Sequence, residues 1–263
     1  MARLTFALCP VLCLILAAIC AGPAAAQTPA QTPAQTPASP EKDPVVLVRL
    51  TPEILAQFAD PDLLLRQGPL EMSKYDEATK KDVVIPPVTD CSTLRARQEE
   101  GYYTYTSQGM AQETVVSDVC RMGERYAAAT FEETTAPKHT LHADVLDLWS
   151  AWFQLAVSAN VADSVAEAVE RGVSLGAFHE PSLESCGPRA VERKDPWTIT
   201  ARNKCDGLYL SIVGEEFTAS GKVRPVVFYH LNATGGSLRT GGYTAVDRHP
   251  ASGVWTPVQF LSR

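Results

Sequence analysis

WTITARNKCDGLYLSIVGEEFTASGKVRPVVFYHLNATGGSLRTGGYTAVDRHPASGVWTPVQF, running from Trp197 to Phe260, is the stretch that decides the fold class. Short runs of β-branched and aromatic residues recur in it, separated by Asp206-Gly207, Ser220-Gly221, Gly235-Gly236 and Ser252-Gly253, dipeptides that favour tight turns. The pattern predicts five strands, over 197–201, 208–213, 223–231, 238–246 and 254–260. With no helical periodicity between them, they are expected to form an antiparallel meander. Gly235, Gly236, Gly241 and Gly242 lack the lysine and the following helix of a phosphate-cradling loop, so a hairpin with a bulge is expected there.

Upstream of this block the periodicity is helical. Val115, Val119, Met122 and Tyr126 recur at spacings of a helical face and predict a helix over 111–129. The strongest helical signal covers 143–158, where Val145, Leu148, Trp149, Trp152, Phe153, Ala156 and Val157 form a broad apolar stripe. Shorter helices are expected at 92–99, with Ser92 as cap and Gly101 as stop, and at 161–171, ending at Gly172. Nearer the start, Val45 to Leu50 reads as a strand, and Thr51-Pro52-Glu53 as the cap and first turn of a helix over 52–58. The polar segment 73–90 reads as a surface connection with at most one short strand at 83–85. The expected class is therefore α+β: a helical first half (about 91–176) packed on a C-terminal antiparallel sheet of about five strands (about 197–263).

The globular unit, 45–263, is preceded by two segments of different character. Residues 1–26 carry one cation, Arg3, then an apolar run and Ala24-Ala25-Ala26, the pattern of a cleavable signal peptide with cleavage before Gln27. Acylation of Cys20 is the alternative, disfavoured by the bulky Ile19 before it. Residues 27–44 begin QTPAQTPAQTPASP, whose prolines prevent sheet pairing and helix continuation and leave a disordered linker. Loss of Arg3 with the leader would leave 22 of the 23 basic residues against 30 acidic ones. That balance argues against nucleic acid or an anionic membrane surface as partner, and no other apolar run is long enough to span a bilayer.

Three of the seven cysteines lie in the leader, leaving Cys91, Cys120, Cys186 and Cys205. An even set in an exported chain reads as two disulfides, and Cys91–Cys120 with Cys186–Cys205 is favoured because each closes a short loop within one half of the unit. The spacings contain no CxxC knuckle of a zinc site.

Chemistry is only weakly signalled. His139, His142 and Asp144 could meet one metal ion, and His179 and Glu180 precede Ser182 and Ser185, but neither serine sits in a GxSxG elbow. His230 and His249 are expected as half-buried, hydrogen-bonded residues. The adjacent pairs Glu99-Glu100, Glu132-Glu133 and Glu215-Glu216 are expected to diverge and to be solvated. Asn232-Ala233-Thr234 matches a glycosylation sequon, relevant only in a eukaryotic host, whereas the alanine-rich leader has a bacterial look. Tyr102, Tyr103 and Tyr105 cluster beside Gly101 and offer a stacking surface.

The sequence thus leads to an exported periplasmic or extracellular protein of bacterial type, not expected to be an enzyme and needing no cofactor. It is expected to bind another envelope component, a protein or a glycan, through its sheet or its tyrosines. A hydrolase or metal-dependent enzyme acting on envelope polymers is the alternative.

Overall fold

The computed structural model describes residues 43–260 apart from 157, 235 and 237, so the expected signal peptide and nearly all of the linker lie outside the described residues. In chain order the elements are β1 (Val45–Leu50), α1 (Pro52–Ala59), α2 (Leu63–Gln67), β2 (Ser73–Asp76), β3 (Lys81–Val84), α3 (Cys91–Glu99), α4 (Ser107–Arg125) and β4 (Thr130–Glu133). They continue with α5 (Val145–Leu148), α6 (Ala159–Glu170), β5 (Ala190–Arg193), β6 (Thr198–Arg202), β7 (Asp206–Thr218), β8 (Val223–Ala233), β9 (Arg239–Arg248) and β10 (Trp255–Pro257).

The mixed α+β class holds, but the sheet is larger and less uniform than a five-strand meander. Eight strands join in one sheet, in which β10-β9-β8-β7 are antiparallel neighbours. The 13-residue β7 is the organiser. Its first half pairs with β6, its second half with β1, and β1 in turn pairs in parallel with β4. A bulge between Ile212 and Gly214 separates the two halves, and the Val213 carbonyl accepts the Thr51 N–H. The expected bulge near the later glycines is absent from the described pairing, since β8 and β9 keep one register from Val226↔Ala245 to Asn232↔Arg239. The last expected strand is cut short: β10 ends at Pro257, and Val258–Phe260 turn into a 3-10 helix.

The helical expectation fails at its strongest point. Residues 143–158 do not form one helix, because α5 ends at Leu148 and only a 3-10 turn follows at Ala151–Phe153. Trp149 and Ser150 are extended, and the Ser150 and Ala151 N–H groups go to the carbonyls of Trp255 and Val173, outside any helical ladder. The Ser150 hydroxyl then accepts the Trp152 N–H, a local bond that competes with helix. Trp149, Phe153 and Leu155 are still buried, but against the sheet. Of the expected stripe Val145, Trp149 and Phe153 are buried, Leu148 and Trp152 are partly buried, Ala156 is exposed and Val157 lies outside the described residues, so the helical periodicity was right about part of the burial and wrong about the backbone.

Other elements follow local chemistry. The α4 face Val119, Met122 and Tyr126 is buried as expected, with Thr106 capping the helix. For α3 the capping side chain is Asp90 rather than Ser92. Thr51 precedes α1 without a side-chain cap bond, and the proline start does the initiating. Ala219 N–H and Ser220 bond Pro44 and Asp43, which fastens the linker's last two residues to the β7–β8 turn.

Alternation along the strands produces two cores. On one face Leu208, Leu210, Ile212, Val227 and Leu231 meet Trp149, Phe153 and Leu175. On the other, the front face, Val48, Leu50, Val226 and Ala245 meet Phe58, Val119, Met122 and Tyr126 from α1 and α4. Helix α4 also shields β9: Asp118 accepts the Tyr243 N–H, which would otherwise be an open sheet-edge donor. Among the described residues no helix is long and apolar enough to cross a membrane.

Candidate functional site

Helices α1 and α4 cover only part of the front face. Over the rest, strand register aligns side chains from four strands into three rows, since residues directly opposite across a sheet project from the same face. The first row is Thr198, Ser211, Phe228 and Tyr243; the second is Thr200, Tyr209, His230 and Gly241; the third is Arg202, Gly207, Asn232 and Arg239. Two hollows of about 540 Å³ and 400 Å³ lie over these rows. Both are lined by Tyr209 and Phe228, so they are two stretches of one groove.

The floor is aromatic. Tyr209 and Phe228 have ring centroids 6.0 Å apart, and Phe228 and Tyr243 5.1 Å, so the floor runs into the core ring of Phe58, 5.2 Å from Tyr243. Gly207 removes a side chain from the third row and lines the larger hollow. One wall comes from Ile54 of α1, Pro137 and Trp197, the last held by its indole N–H on the Pro137 carbonyl at 2.9 Å. Thr198 and Ser211 share a hydrogen bond of 3.1 Å. Burial pushes the Tyr243 hydroxyl up to about 12, so it stays protonated as a donor.

The two ends differ in charge. Asp195 stands at the Trp197 end and accepts the Trp197 N–H at 2.7 Å. At the other end Arg202 and Arg239 are exposed, and among the described residues neither guanidinium has a carboxylate within salt-bridge distance. The Glu192 carboxyl is held below its usual pKa first by its hydrogen bond with Lys194 and only last by the Arg202 charge. Between the arginines, burial first and the Arg239 charge second hold the His230 pKa below its usual value. His230 is therefore a neutral imidazole at pH 7, with one N–H to donate and one nitrogen to accept.

The residues singled out from sequence are dispersed. Cysteines pair as Cys91–Cys120 and Cys186–Cys205, with Cα separations of 5.5 and 5.2 Å. The first staples α3 to α4, and the second ties a 3-10 turn at Pro181–Cys186 to the β6–β7 turn. The three tyrosines separate by alternation. Tyr102 packs inward beside Leu94, with Arg97 over its ring, whereas Tyr103 and Tyr105 are exposed. Tyr103 bridges Ser73, which brings exposed Tyr75 and Val84 of the β2–β3 hairpin to the same side.

His139, His142 and Asp144 do not converge. His139 Nδ1 lies 2.8 Å from Glu215 Oε1, while His142 Nε2 lies 3.3 Å from Thr140 Oγ1. His179 is exposed, 3.5 Å from Glu184, and Glu180 accepts from Ser164 and Ser182. Among the described residues no group of three His, Cys, Asp or Glu side chains is placed to hold a metal ion.

The expectation that Glu215 and Glu216 are solvated is overturned, because β7 continues past Val213 and both of its faces are covered. The pair does diverge. Glu215 (2% exposed) accepts the backbone N–H groups of Lys138 and His139, and so anchors that loop. Glu216, fully buried, accepts Arg125 Nη2 at 2.6 Å, Tyr126 Oη at 3.0 Å and Arg224 Nη1 at 3.2 Å. This network joins α4, β7 and β8. A strand read through Phe217 and Thr218, both good strand formers, would have exposed it in the sequence.

Comparison of the chain with protein-family models, with curated proteins and with solved structures finds no match.

Proposed function

We propose that this protein is exported to a bacterial periplasm or cell exterior and acts there without catalysis, holding another envelope component in the groove of the front sheet face. Support for export comes from the signal-like leader and from two disulfides, which persist in oxidising compartments. The observation that carries the binding reading is the groove itself. A sheet face that is apolar under α1 and α4 becomes, within the same strands, a row-by-row array of aromatic, hydroxyl, amide and guanidinium groups. Such a mixture of apolar floor and few placed polar groups is the usual constitution of a ligand site.

The test is capture from the native envelope with the purified protein and with Thr200→Trp, which fills the middle of the groove. One component recovered in stoichiometric amount by the wild type and lost by the variant, at unchanged melting temperature, supports the reading. Equal recovery by both proteins, or none by either, overturns it.

An enzyme acting on envelope polymers has one observation in its favour, the His139–Glu215 pair. Glu215 already spends the same oxygen on two backbone donors, which favours a structural role. Polymer cleavage by the wild type that disappears in His139→Ala would reverse the ranking.

A further inference from the structure

We infer that the groove recognises an acidic saccharide, with the sugar ring laid on Tyr209 and Phe228 and its carboxylate or phosphate held between Arg202 and Arg239. The inference rests on the binding reading above and names the ligand class. Three features of the groove carry it.

The first is charge. The chain has a formal net charge of −7, yet this end of the groove presents two guanidinium groups, neither with a carboxylate within salt-bridge distance among the described residues. Arginine is the side chain whose planar fork matches carboxylate and phosphate oxygens in pairs. Their strands are three interstrand spacings apart, roughly 14 Å between backbones. Both side chains line the hollow above Gly207 and Asn232, so an anion seated there faces both.

The second is the surface beside that charge. Aromatic rings offer an apolar face for the C–H face of a sugar, and around the rings stand Thr200, Asn232 and neutral His230, which donate and accept as a polyol requires. A purely aromatic anion would leave these polar groups without partners. The third is topology. The groove lies on the face of paired strands β6 to β9, with no free backbone edge in its floor, so an extended peptide cannot add to it as a further strand. A volume of about 540 Å³ falls in the range of small-molecule sites, which suits one or two sugar units.

The experiment is an NMR titration of the ¹⁵N-labelled protein, produced through its own leader, with glucuronic acid, glucose 6-phosphate, glucose and inorganic phosphate. The readout is the Arg202 and Arg239 Nε–H signals and the Tyr209 and His230 amides. Expected is binding of at least one acidic sugar tenfold or more tighter than glucose, shifting all four signals. In Arg202→Gln/Arg239→Gln that advantage should vanish while the melting temperature stays put, since both residues are exposed. Glucuronic acid and glucose 6-phosphate distinguish a carboxylate from a phosphate ligand.

Equal binding of glucose, equal binding of inorganic phosphate alone, or no shift at the groove with any sugar would overturn the inference. Loss of capture in Thr200→Trp together with such a result would leave the binding reading standing and remove only the acidic saccharide. The converse pair of results would keep the ligand class and remove the envelope partner.

Discussion

Asp118→Asn keeps the shape of a buried side chain and removes its ability to ionise. Asp118 sits on α4 against the edge of β9, 7% exposed, with Oδ1 2.6 Å from Arg121 Nη2 and Oδ2 3.1 Å from both the Tyr229 hydroxyl and the Tyr243 N–H. Burial raises its pKa from 3.8 to about 6, outweighing the opposing pull of Arg121 and the two donors. Between about pH 4 and pH 6 the folded protein therefore holds a proton that the unfolded chain has released. Stability must fall as pH rises through that window. A gap of about two pH units between the two proton affinities corresponds to roughly 3 kcal/mol, present in full below about pH 3 and lost by pH 7. The neighbours do not titrate there: the Tyr229 hydroxyl is held well above 10 and that of Tyr243 at about 12, and an arginine stays charged. Urea denaturation of wild type and Asp118→Asn at pH 3, 4, 5, 6 and 7 should show the variant gaining about 3 kcal/mol on the wild type across the series. A constant offset between the two proteins is compatible with the altered hydrogen bonds. A difference that does not move with pH, or that moves the other way, would refute the assignment.

Three further outcomes are expected. Glu216→Ala should cost about 3–5 kcal/mol by chemical denaturation, because it removes from a fully buried site the anion that Arg125, Tyr126 and Arg224 share. Cys186→Ala/Cys205→Ala and Cys91→Ala/Cys120→Ala should each lower stability by about 3 kcal/mol relative to the oxidised parent, measured by urea midpoint, since the closed loops span 19 and 29 residues. Gly242→Ala should cost about 1–3 kcal/mol in thermal melts, because a Cβ there runs into the Asp118 carboxylate beside the Tyr229 hydroxyl.

Much of the secondary structure was legible because its causes are local. Turn dipeptides placed three of the β7–β10 boundaries within a few residues, and the Val119, Met122, Tyr126 spacing placed α4. The region around Trp149 was misread because a broad apolar stripe is compatible with burial on a helix or in an extended segment pressed between elements. The Trp255, Val173 and Leu175 backbone groups that pair with it lie elsewhere in the chain. Glu215 and Glu216 were misread for a related reason: whether an acid on a strand meets water or a partner depends on what covers each face.

The sequence by itself marked β1, β6 to β9 and α4 and favoured the cysteine pairing that the structure has, because period, turn chemistry and short loops act over a few residues to a few tens; β2, β4 and β5 it left unmarked. It also held every residue of the groove without marking them as a group. Arg202, Gly207, Asn232 and Arg239 become neighbours through the register of four strands, and among the described residues neither α1 nor α4 lines the hollow they share. Register and coverage are set by packing between distant segments, and that was the contribution of the tertiary structure alone.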